Sequence, residues 1–164
     1  MIMKAKKAVR KFNNLFYEGK SEVKQINETV NATQAHHIFS QSDYPNIADY
    51  IENLIMLTPN QHFSMAHPDN NTQYIDRDFQ YICLISKFSK IYENLILNQD
   101  KSENQFYNFE DYKFVLNTGL NTEEFSKISL QNFANILDVI DKFYSNDIQN
   151  NKYNFLIKDN KVIF

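Results

Sequence analysis

The chain has few of the residues that interrupt or cross-link a fold. Its 164 residues include 2 Gly, 3 Pro, 1 Cys and no Trp. So little Gly and Pro argues against long disordered or low-complexity stretches. The single cysteine, Cys83, excludes a disulfide within the chain and a cysteine-type zinc site, and its apolar neighbours favour a buried side chain.

Long apolar runs are also absent. No segment approaches the roughly 20 apolar residues that span a bilayer, and the first residues, MIMKAKKAVRKF, lack the apolar stretch of a secretory signal. We therefore expect a cytoplasmic protein with no membrane partner. The hydrophobic fraction of 43% and the length suit one globular domain, or a small catalytic core with a helical extension.

Charge is unevenly distributed along the chain. The net charge of −3 does not favour nucleic-acid binding by the protein as a whole. Residues 1–25, however, contain seven basic and two acidic side chains. This segment is therefore a candidate phosphate-contacting arm, and a solvated basic helix face is the alternative. Its candidate nucleic-acid contacts are Lys4, Lys6, Lys7, Arg10 and Lys11.

Hydrophobic spacing predicts a helix over residues 4–16, short strands over 33–39 and 54–57, and a longer helix over 72–97. The tetrapeptide Thr58-Pro59-Asn60-Gln61 combines an N-cap, a first-turn proline and the glutamine of a capping box, so it predicts a helix start. His62 would then lie in the first turn. Two apolar runs around residues 158–161 favour a β-hairpin at the C-terminal end.

All four histidines lie within 32 residues: His36, His37, His62 and His67. Neutral imidazoles are good ligands for divalent transition metals, so the clustering favours a metal site. His36 and His37 are adjacent on a predicted strand, where neighbouring side chains point to opposite faces. Each of the two therefore needs a separate role.

The segments AHHIF and NLIMLTPNQH together resemble the signature of HNH (ββα-metal) endonucleases. That signature has an (Asp/His)-His pair on the first strand, then an Asn, then a His nine residues later, and Asn53 and His62 have this spacing. Thr58 and Gln61 occupy positions where the family often has zinc-binding cysteines, so no accessory zinc knuckle is expected. The resemblance covers residues 33–68, and the same stretch is similar to restriction-type nucleases of bacteria.

The resemblance implies a role for each of these residues. His37 would be the general base, His36 and His62 would be metal ligands, and Asn53 would hold the loop near His37. The implied cofactor is one divalent ion, with Mg²⁺ or Mn²⁺ preferred and Zn²⁺ or Ni²⁺ as alternatives.

The role of His67 is open between two interpretations. Related sites often place a third ligand four residues after the position of His62, which here is Ala66. On a regular helix a spacing of five residues rotates a side chain by about 140°. His67 could reach the metal if the helix ends before Pro68. Otherwise His67, or nearby Asp69, Asn70 or Asn71, would contact phosphate or be exposed.

These patterns predict an α+β fold: a small ββα-metal core in a mostly helical chain. We expect a basic arm at 1–31, the nuclease core at 32–71 and a helical region with the hairpin at 72–164. The resemblance implies a DNA endonuclease of a restriction or related defence system, acting on double-stranded DNA as a homodimer or with a partner subunit. An RNA-cutting or non-specific toxin nuclease, or an inactive nucleic-acid-binding subunit, are the alternatives.

Overall fold

The structure, a computed structural model, describes residues 1–67, 74–98 and 105–162. In this part of the chain most residues are helical and one two-stranded antiparallel sheet is present, so the protein is of the α+β class. No helix in these ranges is both long and apolar enough to cross a membrane. The α-helices are α1 Ile2–Phe16, α2 Arg77–Tyr92, α3 Phe109–Gly119, α4 Asn135–Phe143, α5 Ser145–Gln149 and α6 Asn154–Asn160.

The sheet separates two hydrophobic layers. Strand β1, Gln34–His37, pairs with β2, Leu54–Leu57, and His36 lies opposite Ile55. Side chains alternate between the two faces of a strand. One face, with Met56, packs on the buried side of α1, and the other, with Ile55, joins the main core built around α2. His36 and His37 therefore lie on opposite faces of the same strand.

Helix α1 occupies the segment where a helix was predicted. Its buried residues Ala5, Val9 and Asn13 are spaced four apart, so they form one stripe that faces the sheet. The helix ends at Phe16, and Gly19 follows with a φ of 72°, a conformation that glycine adopts without strain. The chain then turns back toward β2.

Glu22 binds the free edge of β2. Its backbone N–H donates to the carbonyl of Met56 at 3.0 Å, and its carboxylate accepts from the N–H of Met56 at 2.6 Å. The other carboxylate oxygen lies 2.7 Å from Nζ of Lys87 on α2. Lys87 also donates to the hydroxyl of Tyr107 at 2.9 Å. One buried acid thus joins the sheet to the central helix.

The predicted capping box is confirmed. The Thr58 hydroxyl accepts from the N–H of Gln61, and the Gln61 side chain accepts from the N–H of Thr58, both at 3.1 Å. The helix that begins there is short. It continues as a π-helical turn, Gln61–Ala66, and the backbone becomes extended at His67.

Two predictions about later elements are wrong. Helix α2 begins at Arg77 rather than near residue 72, because the Asp76 side chain caps it by accepting from the N–H of Phe79 at 3.0 Å. The C-terminal hairpin is replaced by helix α6. There, Leu156 and Asn160 are spaced four apart, and Asn160 bonds the backbone of Lys24 at 2.7 and 3.1 Å. That spacing buries one side of a helix against α2.

The substitution Glu22→Gln should destabilise the protein by about 3 kcal/mol, because it leaves the buried Lys87 ammonium without its counter-charge. Urea denaturation would measure the loss. Lys142→Gln is the control: it removes the exposed pair with Glu124 and should cost below about 1 kcal/mol. Equal effects of the two substitutions would contradict the role given to Glu22.

Candidate functional site

Three of the four histidines converge at one point. His36 on β1, His62 in the π-helical turn and His67 just after it place one ring nitrogen each within 4.8 Å of one another. His36 and His67 are buried, and His62 is partly exposed. His36 lies on a different element from His62 and His67 and far from them in sequence, so the fold itself brings the three nitrogens together.

The π-helical turn explains how His67 reaches the site. A regular α-helix would point residues five apart in different directions, but a π-helix forms hydrogen bonds between residues five apart and so brings them toward the same side. The Nε2 atoms of His62 and His67 lie 3.1 Å from each other. Asp69, Asn70 and Asn71, the other candidates near His67, lie outside the described residues.

Backbone contact defines the tautomer of His67. Its Nδ1 lies 2.8 Å from the carbonyl oxygen of Tyr74. A carbonyl can only accept, so Nδ1 carries the proton and Nε2 presents a lone pair toward His62. Nδ1 of His62 is buried and has no hydrogen-bond partner among the described residues.

This donor set fits a first-row transition metal. Zn–N bonds of about 2.05 Å at angles of 90–110° separate two ligand nitrogens by roughly 2.9–3.4 Å, a range that includes the distance between His62 and His67. Imidazole nitrogen suits Zn²⁺, Ni²⁺ and related ions, whereas Mg²⁺ prefers oxygen. His36, His62 and His67 are therefore the residues that could hold such an ion.

His37 lies at the end of β1, on the opposite face from His36. Its Nε2 is 2.8 Å from the carbonyl oxygen of Ala48, so Nε2–H donates there and Nδ1 is the free basic nitrogen of the neutral ring. The contact holds the imidazole against the loop between the strands. His37 is thus available to accept a proton rather than to join the three-histidine cluster.

Asn53 ties that loop together. Its side-chain oxygen accepts from the N–H of Phe39 at 2.8 Å, and its amide donates to the carbonyls of Phe39 and Ile47 at 3.0 and 3.3 Å. These bonds connect the start, the middle and the end of the loop over residues 38–53. That Asn53 thereby orients His37 stays a prediction.

The far end of α3 packs on the same loop. A Cβ atom at Gly119 would overlap the buried ring of Phe39, so only glycine allows the end of α3 to lie this close to the ring. The loop that carries the Ala48 carbonyl is therefore held by the hydrogen bonds of its own Asn53 and by packing against α3.

Burial favours the neutral rings of His36, His37 and His62. It lowers the pKa of His36 well below its ordinary value of 6.5, lowers that of His62 to about 4, and lowers that of His37. The positive charge of Lys6 lowers all three pKa values further. Because protons compete with metals for imidazole lone pairs, neutral rings favour metal binding.

A cleft of about 610 Å³ opens onto these side chains. It is lined by all four histidines, by Lys6 and Arg10 of α1, and by the loop residues Ser40, Gln41, Ser42 and Pro45 among others. Of the five predicted basic contacts, Lys6 and Arg10 line the cleft. Lys4, Lys7 and Lys11 are exposed and do not line it.

Several contributors to the site could not be found from sequence patterns. The carbonyls of Ala48 and Tyr74 act through the backbone, so their side chains give no signal. Lys6 belonged to a basic segment, but its proximity to the histidines depends on how α1 packs on the sheet. The spacing of five between His62 and His67 was visible in the sequence, but the π-helical turn that ends at Ala66 and leaves His67 extended was not.

Comparisons of this chain with protein-family models, with curated proteins and with solved structures found no match. The geometry of the cleft is therefore the basis on which a function is assigned.

The free energy of unfolding of metal-free protein should fall as the pH is lowered from 6.5 toward 4. In that window the unfolded histidines bind protons, while His36 and His62 in the folded protein resist them, so protonation favours unfolding. Urea denaturation in EDTA at several pH values would measure the slope.

The matched variant is His62→Asn, whose slope should be shallower between pH 4 and 6.5. Glu52, whose pKa burial raises to about 7, contributes a slope of opposite sign, but equally in both proteins. Identical slopes in the two proteins would show that His62 has an ordinary pKa.

Proposed function

We propose that this chain is a metal-dependent endonuclease of the HNH (ββα-metal) type that hydrolyses phosphodiester bonds in DNA. One observation carries the proposal: three histidines that could hold a metal ion and a fourth with a free basic nitrogen line one cleft beside Lys6 and Arg10. Strands β1 and β2 and the following helical turn would then be the ββα-metal core.

The proposed ligands are His36, His62 and His67. The proposed ion is Zn²⁺ or Ni²⁺, with Mn²⁺ as the alternative, rather than Mg²⁺, since all three donors are imidazoles. Such an ion, when bound, supplies Lewis acidity to the scissile phosphate and the departing 3′ oxygen. The Tyr74 carbonyl supports this arrangement because it holds the proton of His67 on Nδ1, away from the ligand nitrogen.

His37 is the proposed general base. Its Nδ1 takes a proton from the water whose oxygen forms the new bond to phosphorus, while the bond from phosphorus to the 3′ oxygen breaks. The departing 3′ oxygen takes a proton from solvent, so the products are a 5′-phosphate and a 3′-hydroxyl. The Ala48 carbonyl stabilises the imidazolium that results, because it accepts the hydrogen bond from Nε2–H in both protonation states.

Lys6 and Arg10 are the proposed contacts to the nucleic-acid backbone. They are four residues apart on α1 and therefore lie on the same flank of the helix, toward the histidine cleft. Their guanidinium and ammonium groups match the charge of phosphate. One such site cuts one strand at a time, so cutting both strands would require a homodimer or a partner subunit.

Purified protein should nick or cut plasmid DNA in Mn²⁺, Zn²⁺ or Ni²⁺, and His37→Ala should lower the rate by about 10²–10⁴-fold. The variant should still bind one ion per chain, measured by elemental analysis after gel filtration. His62→Ala and His67→Ala should lose both the ion and the activity. This separation distinguishes the base from the ligands.

RNA and single-stranded DNA are incubated in parallel. Faster cleavage of RNA would reassign the protein to the RNA-cutting class with the same chemistry. Metal binding without cleavage of any substrate would favour the alternative of an inactive nucleic-acid-binding subunit. Full activity in His37→Ala would overturn the proposed mechanism.

The double variant K6Q/R10Q should weaken DNA binding at least 10-fold and reduce the slope of log affinity against log salt by about 2, because each phosphate contact contributes roughly one. Fluorescence anisotropy at several salt concentrations would measure both quantities. K4Q/K11Q removes the same charge from the opposite flank of α1 and is the control. It should change affinity less than twofold, and a matching loss there would show that only net charge matters.

A further inference from the structure

A second cleft lies between α2 and the end of α6, lined also by the segment around Lys24. Its volume is about 230 Å³, and it shares no lining residue with the histidine cleft. It is also lined by Lys90 of α2, Ser89 beside it and Lys161 just after α6. Nothing in the proposed nuclease chemistry uses this cleft.

Lys90 is the unusual residue of this cleft. Only 9% of its surface is exposed, and its Nζ lies 3.8 Å from the centre of the Tyr17 ring. Among the described residues no oxygen atom forms a hydrogen bond or ion pair with this Nζ. A buried ammonium group is costly unless its N–H donors are satisfied, and a ring face does not replace an anionic partner. Burial accordingly lowers the pKa of Lys90.

The other charges at the cleft are largely committed to protein partners. Glu22 pairs with Lys87 at 2.7 Å, and Lys161 pairs with Asp141, also at 2.7 Å. Of the remaining lining charges, Lys90 and the exposed Lys24 are positive and the exposed Asp159 is negative. The residual charge is therefore positive.

Hydrogen-bond donors are also in excess at this cleft. The side-chain oxygen of Asn160 is occupied by the N–H of Lys24 and the hydroxyl of Ser86. The hydroxyl of Ser89 and the two ammonium groups of Lys24 and Lys90 are left to donate. A tetrahedral oxyanion presents several acceptors to such a set.

We propose that this cleft binds a phosphate group, with Lys90 at its base and Lys24 and Ser89 at its rim. The volume accommodates a phosphate with part of the molecule that carries it. The proposal does not depend on the nuclease function. The ligand is either inorganic phosphate or a phosphomonoester such as a mononucleotide, or it is the backbone of a nucleic acid. Each of these sources presents a tetrahedral phosphate oxyanion.

The test is a titration of the metal-free protein with inorganic phosphate, followed by calorimetry and by the backbone amide NMR signals of Ser89 and Lys90. We expect saturable binding that moves these signals. K90Q should weaken it at least 10-fold. K24Q, at an exposed position where folding is not at risk, should weaken it at least threefold.

Two controls locate the binding. Lys158 is an exposed lysine of α6 that does not line the cleft, so K158Q should change affinity less than twofold. K6Q/R10Q should also leave phosphate affinity within twofold, because it alters the other cleft. Absence of saturable binding, or loss of binding in K6Q/R10Q with none in K24Q and K90Q, would overturn the proposal.

The source of the phosphate is resolved by competition. A 5′-mononucleotide that displaces phosphate, where an oligonucleotide without terminal phosphates does not, assigns the cleft to phosphomonoesters. Displacement by that oligonucleotide, again lost in K90Q, assigns it to the nucleic-acid backbone. Either result supports the phosphate site.

Discussion

The carboxylate of Glu22 is the contact on which the arrangement of the histidines depends. A two-stranded sheet alone is only marginally stable, and Glu22 extends it by occupying the free edge of β2 at Met56. Its other oxygen holds Lys87 of the central helix. Strand β2 pairs with β1, which carries His36 and His37, and leads into the Thr58 cap that precedes His62. The acid therefore supports the strand that connects these histidines.

Backbone carbonyls orient the two chemically distinct imidazoles. Ala48 holds the proton of His37 on Nε2, and Tyr74 holds that of His67 on Nδ1, so the free nitrogen differs between the two rings. Asn53 fixes the loop that contains Ala48, and Gly119 lets α3 pack against it. Burial lowers the pKa of His37, and the Ala48 carbonyl partly opposes this effect because the hydrogen bond from Nε2–H favours the charged ring.

Local signals predicted local structure well, and contacts distant in sequence were not predictable. Strand β2 and the reciprocal bonds of Thr58 and Gln61 involve neighbouring residues, and both were predicted correctly. Glu22 belongs to no motif, since its partners lie 34 and 65 residues away along the chain. The prediction of a C-terminal hairpin was wrong for a related reason. The apolar runs favoured strands, but burial of Leu156 and Asn160 against the distant helix α2 favours a helix.

The π-helical turn bears on how strictly the spacing between His62 and His67 must follow an α-helical repeat. A π turn accommodates one residue more than the α-helical turn it replaces, so a single-codon insertion in a helix can be absorbed without displacing the side chains at its two ends. A histidine pair spaced by five across a π turn can thus reach the geometry that a pair spaced by four has on an α-helix. A pattern search that requires one fixed interval would pass over sites of this second kind.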